Sequence, residues 1–207
     1  MGMSKGNDKE LVFATKNQSK LKEIREILKG SGFFPLSMEE AGIDFDIVED
    51  GATFAENAVI KAKAVALAAG KAALADDSGL EVDYLNKEPG INSARFMGYD
   101  TPYEVKNAHI LKELEGVPAN ERGARFVCAI AAAFPDGRVF VEEAVIEGRI
   151  ADAPRGNSGF GYDPIFYVPE FGCTTAEMTP EQKNAISHRG KAMGQMRERL
   201  LRIEDNI

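Results

Sequence analysis

Two adjacent carboxylates, Asp76 and Asp77, come directly after the apolar run of residues 72–75 and before Ser78 and Gly79. A short apolar run is typical of a buried strand, so the carboxylates would lie where that strand ends and the sheet opens to solvent. Open α/β sheets bind their ligands at such an edge, and a divalent cation or a catalytic proton would stabilise two neighbouring carboxylates. A surface turn has the same composition, and the stretch alone does not decide between the two interpretations.

Lysines are clustered at the start of a predicted helix. Residues 15–20, Thr-Lys-Asn-Gln-Ser-Lys, connect a predicted buried strand at residues 11–14 to a helix with an apolar stripe. The backbone N–H groups at a helix start attract anions, whereas Lys16, Lys20 and Lys22 oppose the helix dipole, at roughly several tenths of a kcal/mol each. A bound phosphate would offset that cost. We favour this interpretation for Lys20 and a solvated side chain for Lys22.

A second predicted helix is rich in alanine and begins at Thr53 and Glu56, which have the spacing of a capping box. The box accounts for Glu56, which needs no catalytic role. Lys61 interrupts this helix just ahead of the strand that carries the paired carboxylates. Taken alone, Lys61 has the character of an ordinary exposed helix lysine. A further acidic pair, Glu49 and Asp50, precedes the helix.

An aromatic residue stands in a glycine-rich segment, residues 155–162, where Gly159 and Gly161 flank Phe160. Glycine on both sides would let the backbone approach a ligand closely and would leave the ring exposed for stacking. A plain flexible loop is the alternative interpretation.

Basic residues also lie near the start of the last predicted helix. Lys183 belongs to a short helix capped at Thr179, and residues 187–190 read Ser-His-Arg-Gly. Ser187 could cap the last helix, and His188 alone would more often be structural than catalytic. The side chains of the last helix that are predicted to face inward are Met193, Met196, Leu200 and Leu201.

The remaining elements alternate between strand and helix and then form a hairpin. Leu80, Val82 and Tyr84 alternate in a further predicted strand, which is followed by a turn at residues 86–90. Residues 101–104 open a helix that ends near Gly116. The predicted hairpin consists of residues 126–134 and 139–146 around Pro-Asp-Gly.

Composition narrows the class of protein. The chain has 207 residues, is 44% hydrophobic and carries a formal net charge of −8, so it can bury one sizeable core or two closely packed lobes. The negative charge argues against a general nucleic-acid or membrane-surface binder, so a polyanionic ligand would need a local basic pocket. Cys128 and Cys173 have neither metal-ligand spacing nor a disulfide framework, which fits a reducing cytoplasm. Residues 1–10 are predicted to be a loose polar tail, and no apolar stretch approaches the ~20 residues that span a bilayer.

Taken together, these segments resemble the inosine triphosphate pyrophosphatase or XTP/dITP diphosphatase family, which acts on non-canonical purine nucleoside triphosphates. The resemblance runs from the first strand to the last helix. It is carried by Thr15, Asn17, Lys20, Glu23, residues 56–58, Lys61, residues 75–80, residues 89–90, residues 93–95, residues 159–164 and residues 187–190. The family usually has Gly where this chain has Lys16, which leaves the path of the first loop open.

The resemblance implies an α/β fold with an elongated mixed sheet flanked by helices, and two lobes with the nucleotide cleft between them. Residues 11–207 would form this single pyrophosphatase domain. The protein would be a homodimer that uses Mg²⁺ to hydrolyse ITP, dITP and XTP to the monophosphate and pyrophosphate. Its partners would include neither nucleic acid nor a membrane.

The resemblance also implies roles for individual residues. Asp77 would bind the metal and act as general base, Glu49 would be the second metal ligand with Asp50 as the alternative, and Lys61 and Lys20 would assist catalysis. Lys61 would neutralise charge near the scissile bond. Attack of water on the α-phosphate needs a base within hydrogen-bond reach and cations on the leaving pyrophosphate, and these residues are of the right types. The substrate would be bound by Thr15, Lys16, Asn17, Gln18, Ser19, Lys20, Ser78, Phe160, Gly161, Tyr162, Asp163, Lys183, His188 and Arg189.

Within that set, Phe160 would stack on the base, while Lys183, His188, Arg189 and Asp163 would read the purine edge. Donors aimed at position 6 accept a keto oxygen and reject an amino group, because buried donors left unpaired cost roughly 1–3 kcal/mol each. How GTP is rejected stays open. The alternatives are a pyrophosphatase for other modified nucleotides, which residues 187–190 argue against, and a non-catalytic nucleotide sensor, which would not need Asp76, Asp77 and Lys61.

Overall fold

The computed structural model describes residues 9–204, and within them the fold is a mixed α/β fold with a seven-stranded sheet. The strands are β1 Lys9–Phe13, β2 Phe33–Ser37, β3 Ala73–Val82, β4 Gly123–Ala133, β5 Val139–Ile150, β6 Phe166–Val168 and β7 Cys173–Thr174. The helices are α1 Gln18–Ile27, α2 Phe54–Ala69, α3 Tyr103–Glu113, α4 Pro180–Ile186 and α5 His188–Glu204. The strand order is β2-β1-β3-β4-β5-β6-β7. Strand β1 pairs in parallel with β2 and β3, whereas β6 pairs antiparallel with β5 and β7, as the α/β interpretation predicts.

The chain divides into two compact units. Of the described residues, the first unit contains residues 9–77, the segment Ala129–Glu143 and residues 192–204; the second contains Ser78–Cys128 and Ala144–Lys191. Strand β3 passes from the first unit to the second between Asp77 and Ser78. The nucleotide cleft that the resemblance implies stays a prediction.

The first unit forms around the apolar strand β1, in which Leu11, Val12 and Phe13 are buried. Helix α1 packs against β2, and α2 packs against β1. Helix α2 can lie close to the sheet because its buried face consists mainly of small side chains. Its predicted beginning and end are confirmed: Thr53 accepts a hydrogen bond from the Glu56 amide, and Gly70 ends the helix in the left-handed conformation, with φ 60°.

The second unit has its own apolar core, built from β3 to β6, helix α3 and the segments that follow. Its fully buried side chains include Leu80, Val82, Ile110, Ile165 and Phe166. The hairpin of β4 and β5 is confirmed, and both strands are longer than predicted because pairing continues away from the turn.

Strand β3 corrects the first interpretation of the paired carboxylates. The sequence predicted that the strand ends at these residues and that a new strand carries Leu80, Val82 and Tyr84. Instead, β3 runs unbroken from Ala73 to Val82, and Tyr84 lies in the 3₁₀ turn Asp83–Leu85. Pairing with the long neighbour β4 overrides the local turn propensity of Asp-Ser-Gly.

Three smaller predictions also need correction. The N-terminal tail was predicted for residues 1–10, but Lys9 and Glu10 already pair with β2, and residues 1–8 lie outside the described residues. Strand β2 was not predicted, because Pro35 interrupts its pattern; proline is tolerated there since β2 is an edge strand. Leu201 was predicted to face inward but is 40% exposed.

Two further observations bear on the composition-based expectations. Cys128 and Cys173 are both free thiols. Within residues 9–204, no helix combines the length and the apolar character that a membrane span requires.

Candidate active site

The first cluster of charged side chains lies along β3, beyond the last contact of β1 with that strand. The amide of Ala14 donates to the carbonyl of Leu74, and after this point the chain of β1 turns away into the loop before α1. Asp76 and Asp77 are therefore next to the end of β1, although they lie inside β3. Both are buried, at 2% and 9% exposed. Successive strand residues point to opposite faces, so each carboxylate has a different lysine as its neighbour.

Asp77 is paired with Lys61 of helix α2. The ammonium of Lys61 donates to Oδ1 of Asp77 at 2.9 Å and to Oε2 of Glu49 at 2.7 Å. Lys61 is only 8% exposed, so the interpretation of this residue as an ordinary exposed lysine is wrong. The helical pattern gave no sign of this, because the partners come from a distant strand and an irregular segment.

The segment before α2 is held so that Glu49 reaches Lys61. The Gly51 amide donates to the side-chain oxygen of Asn57 at 2.9 Å. A side chain at Gly51 would bring its Cβ within 2.7 Å of the Cβ of Glu56, so only glycine fits this close approach to the helix. Asp50, the alternative to Glu49, is exposed.

Burial and charge pairing shift the pKa values of this pair. Burial alone would lower the pKa of Lys61, but the carboxylates of Asp77, Asp76 and Glu49 outweigh burial, and the pKa is raised. Burial raises the pKa of Asp77, and the charges of Lys61 and Lys20 offset this only in part. Lys61 therefore stays protonated at neutral pH, and Asp77 is a stronger base than an exposed aspartate.

The carboxylates of this cluster suit a hard divalent cation. Oδ2 of Asp77 is buried and has no hydrogen-bond partner among the described residues, so it keeps its capacity to bind a metal. Between residues 9 and 204, no group of three or more His, Cys, Asp or Glu side chains converges on one point. Proteins usually bind magnesium through one or two carboxylates together with substrate phosphates and water, and binding of magnesium at Asp77 stays a prediction.

Asp76 is paired with Lys20 of helix α1. The ammonium of Lys20 lies 2.9 Å from Oδ1 of Asp76, and the side chain of Asp76 is fully buried. The position of Lys20 at the helix start predicted an anionic partner, for which a bound phosphate was the favoured interpretation. In the structure the carboxylate of Asp76 supplies a negative charge from within the protein, and a contact of Lys20 with phosphate stays a prediction.

The loop before α1 shows how the predicted phosphate-binding residues are used in the free protein. The side-chain oxygen of Asn17 caps the helix by accepting from the amides of Ser19 and Lys20, at 2.9 and 3.1 Å. Thr15 accepts from the amide of Asn17. Lys16 is exposed and donates to Asp46 at 2.7 Å, and this hydrogen bond raises its pKa. Contacts of Thr15, Lys16, Asn17, exposed Gln18 and Ser19 with phosphate stay predictions.

The second cluster surrounds Phe160 in the other unit. Two cations lie over the ring, with Lys183 Nζ 5.0 Å and Arg189 Cζ 5.5 Å from the ring centre. Asp163 organises this arrangement, since its Oδ2 accepts from Lys183 at 2.7 Å and from the Phe160 amide at 2.8 Å. A Cβ at Gly159 would lie 2.1 Å from the same oxygen, and the residue has φ 74°. Only glycine at position 159 leaves room for the carboxylate of Asp163.

The start of α5 contributes Arg189 and His188. As predicted, Ser187 caps the helix, accepting from the Gly190 amide at 3.0 Å. A Cβ at Gly190 would lie 1.8 Å from the carbonyl oxygen of Asn184, so glycine is required there as well. Arg189 donates to the hydroxyl of Ser78 at 2.9 Å. The ring of His188 is buried and stacks on Phe126 at 4.8 Å, and its contact with a base stays a prediction.

Tyr162 has a structural role that the sequence did not indicate. Its hydroxyl donates to the carbonyl of Ser93 at 2.8 Å, and its ring packs edge-on against Tyr103. Burial raises its pKa. Next to it, Asn107 donates to the carbonyl of Gly161 at 3.1 Å. Contacts of Tyr162 and Gly161 with substrate stay predictions. The supporting role of Asn107 had no signal in the sequence, because nothing in its helix marks it.

Comparison with known proteins identifies the family. The model of the Ham1 family matches residues 11–199. The dITP/XTP pyrophosphatase of Desulforamulus reducens is 50% identical over 194 residues, which cover 94% of this chain and 96% of the relative. The corresponding protein of Bacillus subtilis is 45% identical over 185 residues, covering 89% and 93% of the two chains.

Solved structures give the same result. The structure of a Ham1 protein from Coxiella burnetii superimposes with a TM-score of 0.84 at 42% identity and covers 93% of this chain and 98% of that protein. The chain belongs to the Ham1 family, which confirms both the resemblance found in the sequence and the α/β fold it implied.

The Lys20–Asp76 pair reverses what the helix dipole alone predicts for stability. Without the pair, Lys20→Ala would leave the free protein as stable as the parent or slightly more stable. With the pair, the substitution should lower the free energy of unfolding by about 1–3 kcal/mol, because buried Asp76 loses a charged partner. Urea unfolding in the absence of nucleotide measures this difference.

Lys22→Ala is the matched control, because Lys22 is an exposed lysine on the same helix. It should change the free energy of unfolding by less than about 0.5 kcal/mol. Equal stabilities for the two variants would show that the pair with Asp76 contributes nothing to the fold.

Proposed function

We propose that this protein hydrolyses the non-canonical purine nucleoside triphosphates ITP, dITP and XTP to the monophosphate and pyrophosphate, with Mg²⁺ as cofactor. The names of the relatives from D. reducens and B. subtilis support this reaction, since both match over nearly their full lengths. The observation that carries the proposal is the buried Asp77, which has one oxygen on Lys61 and one without a hydrogen-bond partner among the described residues. We also propose a homodimer in the cytoplasm, as the resemblance implies.

Asp77 is the general base in this proposal. Its raised pKa suits it to take a proton from the water that attacks the α-phosphate. Asp77 and Glu49 would hold the magnesium ion. When bound, magnesium lowers the pKa of water and neutralises phosphate charge. Lys61 keeps both carboxylates in place and adds a fixed positive charge close to them.

The loop before α1, together with Lys20 at the start of that helix, would bind the triphosphate. Negative charge moves onto the leaving pyrophosphate during the reaction, and a preorganised cation stabilises that charge. Lys20 fits this role because its pairing with Asp76 fixes the position of its ammonium group. Lys16 would have to exchange the exposed carboxylate of Asp46 for phosphate. Exposed ion pairs are worth about 0–1 kcal/mol, so this exchange costs little.

The base would stack on Phe160. Lys183 and Arg189 already lie over that ring, and their N–H groups are donors suited to a 6-keto oxygen. A 6-amino group would place its own N–H donors against the N–H donors of Lys183 and Arg189, so adenine nucleotides would bind poorly. Asp163 and His188 would complete the edge that reads the purine.

The first prediction from this proposal concerns Asp77. Asp77→Asn should lower kcat for ITP by at least about 10²-fold, because the neutral amide removes both the base and a metal ligand. The fold should persist, since Lys61 keeps its bond to Glu49. Steady-state rates with ITP and magnesium, with monophosphate and pyrophosphate quantified separately, provide the measurement.

Matched variants separate the two acidic residues ahead of α2. Glu49→Gln should also be strongly impaired, whereas Asp50→Asn should keep the parent rate because Asp50 is exposed. Parent-like turnover by Asp77→Asn would refute the assignment of Asp77 as the general base. An impaired Asp50→Asn variant together with a parent-like Glu49→Gln variant would instead make Asp50 the second metal ligand.

The second prediction concerns selectivity. Arg189→Ala should lower kcat/KM for ITP by roughly 5- to 150-fold, the equivalent of about 1–3 kcal/mol, and should change the low rate with ATP much less. The ratio of the rate with ITP to the rate with ATP would then decrease. Lys191→Ala, an exposed position on the same helix, is the control and should keep the parent ratio. Equal losses on ITP and ATP would make Arg189 a phosphate-binding or structural residue.

A further inference from the structure

The carboxylate of Asp163 has a third partner that lies on neither the glycine-rich segment nor the last two helices. The hydroxyl of Thr175 lies 2.8 Å from Oδ1 of Asp163 and 3.2 Å from its backbone carbonyl oxygen. A hydroxyl has a single proton to donate, and the shorter contact to the charged oxygen takes it. Thr175 is 2% exposed, so water does not replace this donor.

The two oxygens of Asp163 therefore have separate tasks. Oδ2 accepts from Lys183 and from the Phe160 amide, while Oδ1 accepts from Thr175. A carboxylate held at one oxygen only can rotate about its last bond. Held at both, it keeps Oδ2 directed at Lys183, whose ammonium then stays over the ring of Phe160.

Thr175 lies on a firmly braced turn. The preceding residue, Thr174, anchors this turn: its amide donates to Glu177 at 2.7 Å and its hydroxyl donates to the carbonyl of Arg155 at 2.7 Å. The Ser158 amide donates to the carbonyl of Ala176 at 3.0 Å. These bonds attach the turn to the glycine-rich segment on both sides of Thr175, so the hydroxyl has a defined position relative to Phe160.

We propose that Thr175 is a positioning residue for recognition of the 6-keto purine base, acting through Asp163 on Lys183. This inference rests on the proposed function and adds to it a residue that none of the sequence motifs contains. Thr175 does not touch the base in this account. Its hydroxyl holds the carboxylate of Asp163, and that carboxylate holds the ammonium group of Lys183. Removal of the Thr175 hydroxyl should therefore weaken recognition of the base and leave the phosphate chemistry of the first cluster intact.

The test uses two substitutions at Thr175. Thr175→Val keeps the shape of the side chain and removes the hydroxyl, which leaves Oδ1 of Asp163 buried without its donor. We expect a roughly ten-fold higher KM for ITP, a kcat within about two-fold of the parent, and a narrower ratio of ITP to ATP turnover. Thr175→Ser keeps the hydroxyl and should restore the parent KM and ratio.

Thr101→Val is the matched control, because it makes the same substitution at a hydroxyl of the second unit that donates to the carbonyl of Met97 instead of to Asp163 or to the turn that carries Thr175. It should keep the parent ratio of ITP to ATP turnover even where its melting temperature falls. A Thr175→Val variant that melts lower but keeps the parent KM and ratio would overturn the inference. So would an equal change of the ratio in Thr101→Val.

Calorimetric binding of IMP and AMP without metal tests the same point independently of turnover. Thr175→Val should lose roughly ten-fold in affinity for IMP and little for AMP, whereas unchanged IMP binding would overturn the inference. A parent protein that binds IMP but does not hydrolyse ITP would refute the proposed reaction alone, since the effect of Thr175 on base binding would still be measured.

Discussion

Buried carboxylates that require lysine partners are the constraint on which both clusters depend. An ionised carboxylate without a partner in a protein interior costs several kcal/mol, so each one fixes the position of a cation. Asp76 and Asp77 on β3 draw Lys20 from α1 and Lys61 from α2. The strand and the two helices are thereby joined through charges as well as through apolar packing.

In the second unit a buried carboxylate also fixes the position of a lysine, but this lysine lies beside an aromatic ring. Asp163 is buried and holds Lys183, and the ammonium of this lysine lies over the ring of Phe160. One arrangement leaves a carboxylate oxygen available for a metal or a proton, and the other leaves cationic donors beside an aromatic face. Phosphate chemistry and base recognition would use these two arrangements respectively.

Local signals in the sequence predicted much of the fold, and contacts between distant elements account for what they missed. The cap at Thr53 and the glycines around Phe160 could be interpreted from their neighbours alone. The burial of Lys61 could not, because it depends on Glu49 and Asp77, which lie far from it along the chain. The continuation of β3 through its turn-like residues depends likewise on pairing with β4. Family resemblance predicted the site residues, but the ion pairs that they form could be found only from the structure.

The position at which water attacks tests the central claim most directly. ITP should be hydrolysed with magnesium in water enriched in ¹⁸O, and both products should be analysed by mass spectrometry. If Asp77 directs water to the α-phosphate, one ¹⁸O atom will appear in the inosine monophosphate and none in the pyrophosphate. Label in the pyrophosphate, or release of orthophosphate and the diphosphate, would contradict the account, because water would then attack a different phosphorus atom.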